Sequence, residues 1–225
     1  MLKFDKNTHS YKNDFTRQEY ISATTLINKF KRKFDADFHA KRVADKEGTT
    51  VEEIKKRWKL LNEESKIKGS SIHEAIDGYN KFGDIDEEYD EIINKLIGLN
   101  LYDRQKSKCE ELVYNHTYKI AGTADCIEDL GNTFNVYDFK TNKKFNLYSQ
   151  YNATLLEPLT HLSECEFNIY SLQLSLYAFM YQSMTGKNIG KLGIVHISPD
   201  NKFSVFYSPY LYTDIKNMLN YYESH

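Results

Sequence analysis

Cysteine is scarce in this chain. Three residues, Cys109, Cys126 and Cys165, are spread over 225 positions, and no C-x-x-C pair occurs. That spacing excludes a zinc ribbon or a four-cysteine iron–sulphur cluster within the chain. Reduced, mostly buried thiols are the expectation. A G-x-x-x-x-G-K-[ST] loop is also missing: Gly186-Lys187-Asn188-Ile189-Gly190 contains a Gly-Lys without the spacing, so no nucleotide cofactor is expected. No apolar run approaches the roughly 20 residues of a membrane span. The opening Met1-Leu2-Lys3-Phe4-Asp5-Lys6-Asn7 lacks the apolar core of a signal peptide, so a cytoplasmic protein with no membrane partner is expected. An excess of positive charge is absent too, the net charge being −2. This counts against a protein that coats DNA non-specifically. It leaves room for a nuclease, whose acidic metal ligands offset basic residues clustered elsewhere.

With 28% charged and 40% hydrophobic residues the composition is that of a soluble globular protein, and the length suits one α/β domain. Residues 1–21 read as a hairpin, Leu2 to Asp5 and His9 to Lys12 around Lys6-Asn7-Thr8, followed by Tyr20-Ile21. Ser22 to Thr25 supply N-cap hydroxyls for a helix carrying Leu26, Ile27 and Phe30. The same helix is expected to carry the cationic run Lys29, Lys31, Arg32, Lys33 and then Lys41 and Arg42, with Phe34 and Phe38 interleaved. It reads either as a solvated basic face or as a phosphate-tracking patch with stacking surfaces for unpaired bases. Thr50-x-x-Glu53 is a capping box opening a second helix through Trp58. The acidic stretch from Asp84 to Asp90 lacks the spaced oxygens of a calcium loop and reads as a solvated loop and helix start.

The chemistry concentrates between Ile120 and Lys144. Two strand-like runs, Ile120–Glu128 and Thr133–Lys140, flank the turn signal Asp129-Leu130-Gly131-Asn132, which predicts a hairpin. Alternation along the second strand puts Asp138 and Lys140 on one face and Phe139 on the other. Antiparallel pairing can bring Asp125 alongside. Two adjacent carboxylates repel unless a cation lies between them, and a hard divalent ion such as Mg²⁺ fills that role. With Lys140 beside it, this is equipment for metal-assisted hydrolysis of a phosphodiester. On the tripeptide Asp138-Phe139-Lys140 alone, a surface cross-strand pair is the better reading; the rest of the chain shifts the balance.

Several other residues bear on that chemistry. Gly69 precedes His73 on a helix, where a histidine is either packed and hydrogen-bonded or a metal ligand. Glu110-Glu111-Leu112-Val113-Tyr114 forms a third strand. Alternation lets one of its two glutamates share the metal's face without saying which. The connection 141–165 is long and irregular, as functional loops often are. Phe167 to Met184 is a helix apolar nearly all round and therefore buried. On it Gln173 and Tyr177 meet at i, i+4. They serve either as core residues or as hydrogen-bond partners of a substrate phosphate or the attacking water. Strands Lys191–Ser198 and Lys202–Tyr207 and a helix from Thr213 to Tyr222 end the chain.

The succession His73, Glu110, Gly122-Thr123-Ala124-Asp125, Asp138-Phe139-Lys140 and Gln173-x-x-x-Tyr177 resembles the PD-(D/E)XK nuclease superfamily, specifically its RecB-like branch. That branch also holds phage exonucleases, mitochondrial genome-maintenance exonucleases and CRISPR adaptation nucleases. His9-x-Tyr11, Tyr20 to Leu26, Leu156-Glu157-Pro158-Leu159 and Tyr170 to Leu174 look like small phage-encoded members. The resemblance implies one nuclease domain over 1–225, with an N-terminal hairpin and helical part (1–105) and an α/β catalytic core (106–225). That core would be a central mixed β-sheet flanked by helices, as in restriction endonucleases. It further implies Mg²⁺ or Mn²⁺ on Asp125 and Asp138 with the Phe139 carbonyl and His73, Glu110 as an upstream acid, and Lys140 orienting the attacking water. Gln173 and Tyr177 would lie near the catalytic centre, and Lys143, Lys31 and Arg32 would meet the substrate. The implied substrate is DNA at single-stranded or frayed duplex ends, cut from the end in phage replication, recombination or repair in the host cytoplasm; a structure-selective endonuclease, or a non-catalytic nucleic-acid-binding module on the same fold, is the alternative. An oligomer is compatible with it. The four-cysteine iron–sulphur site of some members is not present.

Overall fold

The computed structural model describes residues 2–5, 8, 10–99, 103–149 and 151–224. His9 and the turn residues Lys6 and Asn7 lie outside the described residues.

The central hairpin forms from the residues that signal it. Strands β5 (Ile120–Asp129) and β6 (Thr133–Lys140) are antiparallel. Gly131 turns between them at φ 87°, a left-handed conformation that glycine adopts without a steric penalty. Asp129 closes the turn by accepting from the Gly131 amide at 3.0 Å. Around this hairpin the sheet grows on both sides. Strand β4 (Ser107–Asn115) pairs antiparallel with β5 over nearly its full length. Strand β7 (Asn188–Ile197) runs parallel to β6, and β8 (Phe203–Ser208) pairs antiparallel with β7. At the other end β1 (Leu2–Asp5), β2 (Ser10–Asn13) and β3 (Glu19–Ser22) form a meander. It joins through a short parallel pairing, Ile21 with Ile120 and Ser22 with Ala121. The result is a mixed eight-stranded sheet.

Helices cover both faces. Helix α1 (Ala23–Asn28), α5 (Glu166–Thr185) and α6 (Tyr212–Ser224) pack on one face, where Phe134, Val136, Ile120 and Ile127 meet Leu172, Leu176 and Met180. Helix α3 (Val51–Phe82) and α4 (Asp90–Gly98) take the other face, through Ile72, Ile76, Ile92, Ile93 and Leu96 against Tyr137, Phe139 and Val195. Each such fully buried aliphatic side chain contributes about 1.5–3 kcal/mol. The apolar girth of α5 is thereby explained: ten of its residues are buried, since it lies between the sheet and α6.

Two helical expectations are corrected. The basic helix is not continuous: α1 ends at Asn28, residues 29–35 form a connection, and α2 (Ala36–Glu47) starts afresh. Asp35 sets the new start by accepting from the Phe38 amide at 2.9 Å, a local cap that competes with continuing the first helix. Conversely, the capping box of Thr50 and Glu53 opens a single helix of 32 residues that runs through Gly69 and His73 to Phe82. Gly69 is a point of close approach, because a Cβ there would lie 3.1 Å from Thr141 Oγ1, just past the end of β6.

Candidate metal centre

The site arises where the sheet splits. The β5–β6 ladder ends at Cys126 opposite Tyr137, although both strands have further residues on that side. Beyond that point the Phe139 amide finds no main-chain acceptor on β5. It donates instead to Asp125 Oδ2 at 2.7 Å. On the far side of β5, the β4 ladder is regular on both sides of Glu110 but omits it. Glu110 has φ 49°, in the left-handed region that a non-glycine residue rarely occupies. Of the two adjacent glutamates, Glu110 is the one carried to the split.

Helix α3 supplies His73. Its Nε2 lies 3.1 Å from the Phe139 carbonyl, so the proton sits on Nε2. Nδ1 then faces two carboxylates, Asp125 Oδ1 at 3.5 Å and Glu110 Oε1 at 3.6 Å. In a neutral ring that nitrogen presents a lone pair to oxygen lone pairs, an arrangement that only a proton or a metal cation relieves. Accordingly the imidazole is pushed up to about 9, chiefly by the Asp125 carboxylate against the opposing effect of burial, with Glu110 adding to it. Among the described residues, one ligand atom each from His73, Glu110 and Asp125 lie within 4.8 Å of one another. Carboxylate oxygens plus one imidazole nitrogen form a donor set that fits a divalent cation.

Asp138 stands beside this group, under α5. It is fully buried, in a strand buried on both faces from Phe134 to Phe139, which excludes the surface-pair reading of Asp138 and Lys140. Its Oδ1 accepts from Gln173 Nε2 at 3.3 Å, and the same amide nitrogen lies 2.9 Å from the Tyr177 hydroxyl oxygen. Oδ2 meets the Lys140 ammonium at 2.6 Å and no other partner, so it retains an unused lone pair. Burial pushes the Asp138 carboxyl up to about 7; Lys140 opposes that shift and Asp125 adds to it. Burial would lower Lys140, but Asp138 and Asp125 more than compensate and hold it firmly as the ammonium.

The expected site residues thus fall into four places. His73, Glu110, Asp125 and the Phe139 carbonyl converge at the split. Asp138, Lys140, Gln173 and Tyr177 form an adjoining buried chain, in which Gln173 and Tyr177 are engaged with Asp138 and with each other. Lys143 is exposed on the connection after β6. Lys31 and Arg32 line a separate cleft with Phe30, Leu156 and Tyr222. Arg32 is occupied there, its Nε donating to the Thr154 carbonyl at 3.1 Å. Two further residues shape the site. The Tyr170 ring lies 4.8 Å from the Lys140 ammonium, a cation–π contact that its place in the stretch Tyr170 to Leu174 does not specify. Gly122 makes room for Tyr177: a Cβ there would sit 2.5 Å from the ring's Cε1. No local signal announces that need.

No family model matches the chain, and neither does any curated protein. Among solved structures it is similar to that of SSO0001, with 15% identity and a TM-score of 0.38 over 89% of this chain and 73% of the other. It is also similar to a "putative exonuclease" from Eubacterium rectale, with 8% identity and a TM-score of 0.40 over 91% and 79% of the two chains. Likeness at this level does not bear on function. No described helix is long and apolar enough to cross a membrane.

Proposed function

We propose that the protein is a divalent-metal-dependent DNA nuclease of the RecB-like branch, acting as an exonuclease on single-stranded or frayed duplex ends. The observation that carries this reading is the convergence of His73 Nδ1, Glu110 and Asp125 within 4.8 Å, beside a buried Asp138–Lys140 pair. His73, Glu110 and Asp125 Oδ1 would hold the ion, with the spare capacity of Asp138 Oδ2 next to them. The nitrogen ligand favours Mn²⁺ over the harder Mg²⁺. A bound divalent ion supplies Lewis-acid charge at a phosphoryl oxygen and acidifies a coordinated water.

The chain's own groups do the rest. Lys140, kept charged by its carboxylate neighbours, offers N–H donors to the attacking water and to negative charge developing on the phosphate. Gln173 and Tyr177 hold Asp138 in place. Asp138 and the Tyr170 ring hold Lys140. Action from an end, and a role in phage DNA metabolism, rest on the sequence resemblance alone.

The test is a gel assay with 5′- and 3′-labelled linear DNA beside circular single-stranded DNA, in Mn²⁺, Mg²⁺ or EDTA. Metal-dependent loss of the linear substrates alone is expected, and the label released first gives the polarity. Asp138→Asn should abolish cleavage while its melting curve stays cooperative. Cleavage of the circle would make the enzyme an endonuclease. Full activity in EDTA or in Asp138→Asn would remove the metal mechanism.

A further inference from the structure

Positive charge is unevenly distributed along the chain. Residues 29–68 carry 13 Lys and Arg against 8 Asp and Glu, in a chain with 30 and 32 overall. Four of those cations, Lys29, Lys31, Arg32 and Lys33, lie in the connection after α1, and all four line an open cleft of about 1080 Å³. Glu157 is the only carboxylate among its described lining residues. Among the described residues, Lys29, Lys31 and Lys33 have no ion-pair partner, whereas on α2 and α3 Lys55, Arg57, Lys59 and Lys81 are paired with Asp37, Glu47, Glu63 and Asp77.

The rest of the lining is Thr25 and Asn28 together with the apolar or aromatic Phe30, Leu156, Tyr221 and Tyr222. Tyr221 is 36% exposed, and Lys29 lies 5.3 Å from the Tyr222 ring centroid. The walls are pinned together. The Leu156 amide donates to the Phe30 carbonyl at 2.8 Å, and Arg32 reaches the Thr154 carbonyl and the Glu164 carboxylate. Thr154 and Leu156 belong to the connection that leaves β6 directly after Lys140. One wall of the cleft therefore belongs to the same chain connection that begins at the candidate site, although the two are separate in space.

We infer that this cleft binds an unpaired stretch of nucleic acid, with phosphates on Lys29, Lys31 and Lys33 and bases against the tyrosine side. Unneutralised lysines attract a polyanion, and aromatic faces take bases whose own faces are free. A stacked duplex hides its base faces and satisfies only the lysines. The inference rests on the nuclease reading for its biological sense. Binding itself requires no cleavage.

The experiment is fluorescence anisotropy of a labelled oligothymidylate, a duplex of equal length and a polyglutamate peptide, in EDTA over a series of salt concentrations. The intact chain is compared with Lys31→Gln/Lys33→Gln. The single strand should bind more tightly than the duplex or the peptide. In the variant the slope of log K against log salt should become shallower by about 1.4, or about 0.7 per lysine, which is about 25-fold in affinity between 1 M and 0.1 M salt. An unchanged slope, or a duplex or peptide bound as tightly as the single strand, overturns the inference. Because EDTA silences cleavage, the two readings fail separately. A chain that binds as described but never cuts loses the nuclease assignment; one that cuts with an unaltered salt slope in the variant loses the cleft.

Discussion

Replacing Gly122 by alanine should destabilise the protein far more than one added methyl group suggests. The new Cβ would lie 2.5 Å from Tyr177 Cε1 and 3.2 Å from Cδ1. Carbon atoms in contact settle near about 3.5–4 Å, so the ring must retreat by roughly 1 Å. It has nowhere to go, because Tyr177 is 4% exposed in the most deeply packed helix of the fold. Retreat also stretches the 2.9 Å bond between the Tyr177 hydroxyl and Gln173, the residue that holds Asp138. Overpacking of this kind costs about 1–3 kcal/mol and a weakened buried hydrogen bond about 1 more. For a domain of this size the total corresponds to a fall in Tm of about 5–15 °C. Calorimetry of Gly122→Ala, Tyr177→Leu and the double variant measures it. The double variant should be more stable than the sum of the singles implies, by at least about 1 kcal/mol, since the smaller side chain removes the collision. A Gly122→Ala protein melting within about 1 °C of the parent would refute the packing between β5 and α5.

Two further predictions concern backbone and charge. Because Glu110 is held at φ 49°, Glu110→Asn should melt near the parent, whereas the β-branched Glu110→Val should lose about 1–2 kcal/mol in urea titrations. Asp129 accepts from Lys187 at 2.5 Å and from the Gly131 amide, and these contacts hold its carboxyl below the ordinary range. A depressed carboxylate stabilises the fold above its unfolded pKa and loses that contribution as pH falls through the folded value. Asp129→Asn should therefore cost about 1 kcal/mol at pH 7. Thermal melts against pH should show the gap closing below about pH 4, where the unfolded carboxylate also protonates.

What could be read from the residues is what depends on neighbours in sequence. The turn at Asp129–Asn132, the capping box of Thr50 and Glu53 and the alternation of Asp138, Phe139 and Lys140 are local rules, and the structure keeps each of them. The break after Asn28 follows from an equally local cap at Asp35, which the cationic run around it obscured. Other features depend on where distant segments meet. Nothing near Gly122 announces Tyr177, and nothing near Glu110 decides between it and Glu111. The parallel docking of β3 on β5, which brings the N-terminal meander into the sheet, is set by long-range pairing of a kind that strand propensity does not specify.

Under the proposed metal-dependent function, the split between β5 and β6 would bear on ion selectivity. Asp125 spends Oδ2 on the Phe139 amide, substituting for a main-chain acceptor, and leaves Oδ1 toward His73. Its denticity toward a cation is thereby limited to one, unless the strand end is released. Calcium collects six to eight oxygens and often takes carboxylates through both. Magnesium and manganese accept single oxygens and complete an octahedron with water. An irregularity in strand pairing would thus act as a filter, admitting the small octahedral ions and penalising the larger one by the amide bond it would have to break.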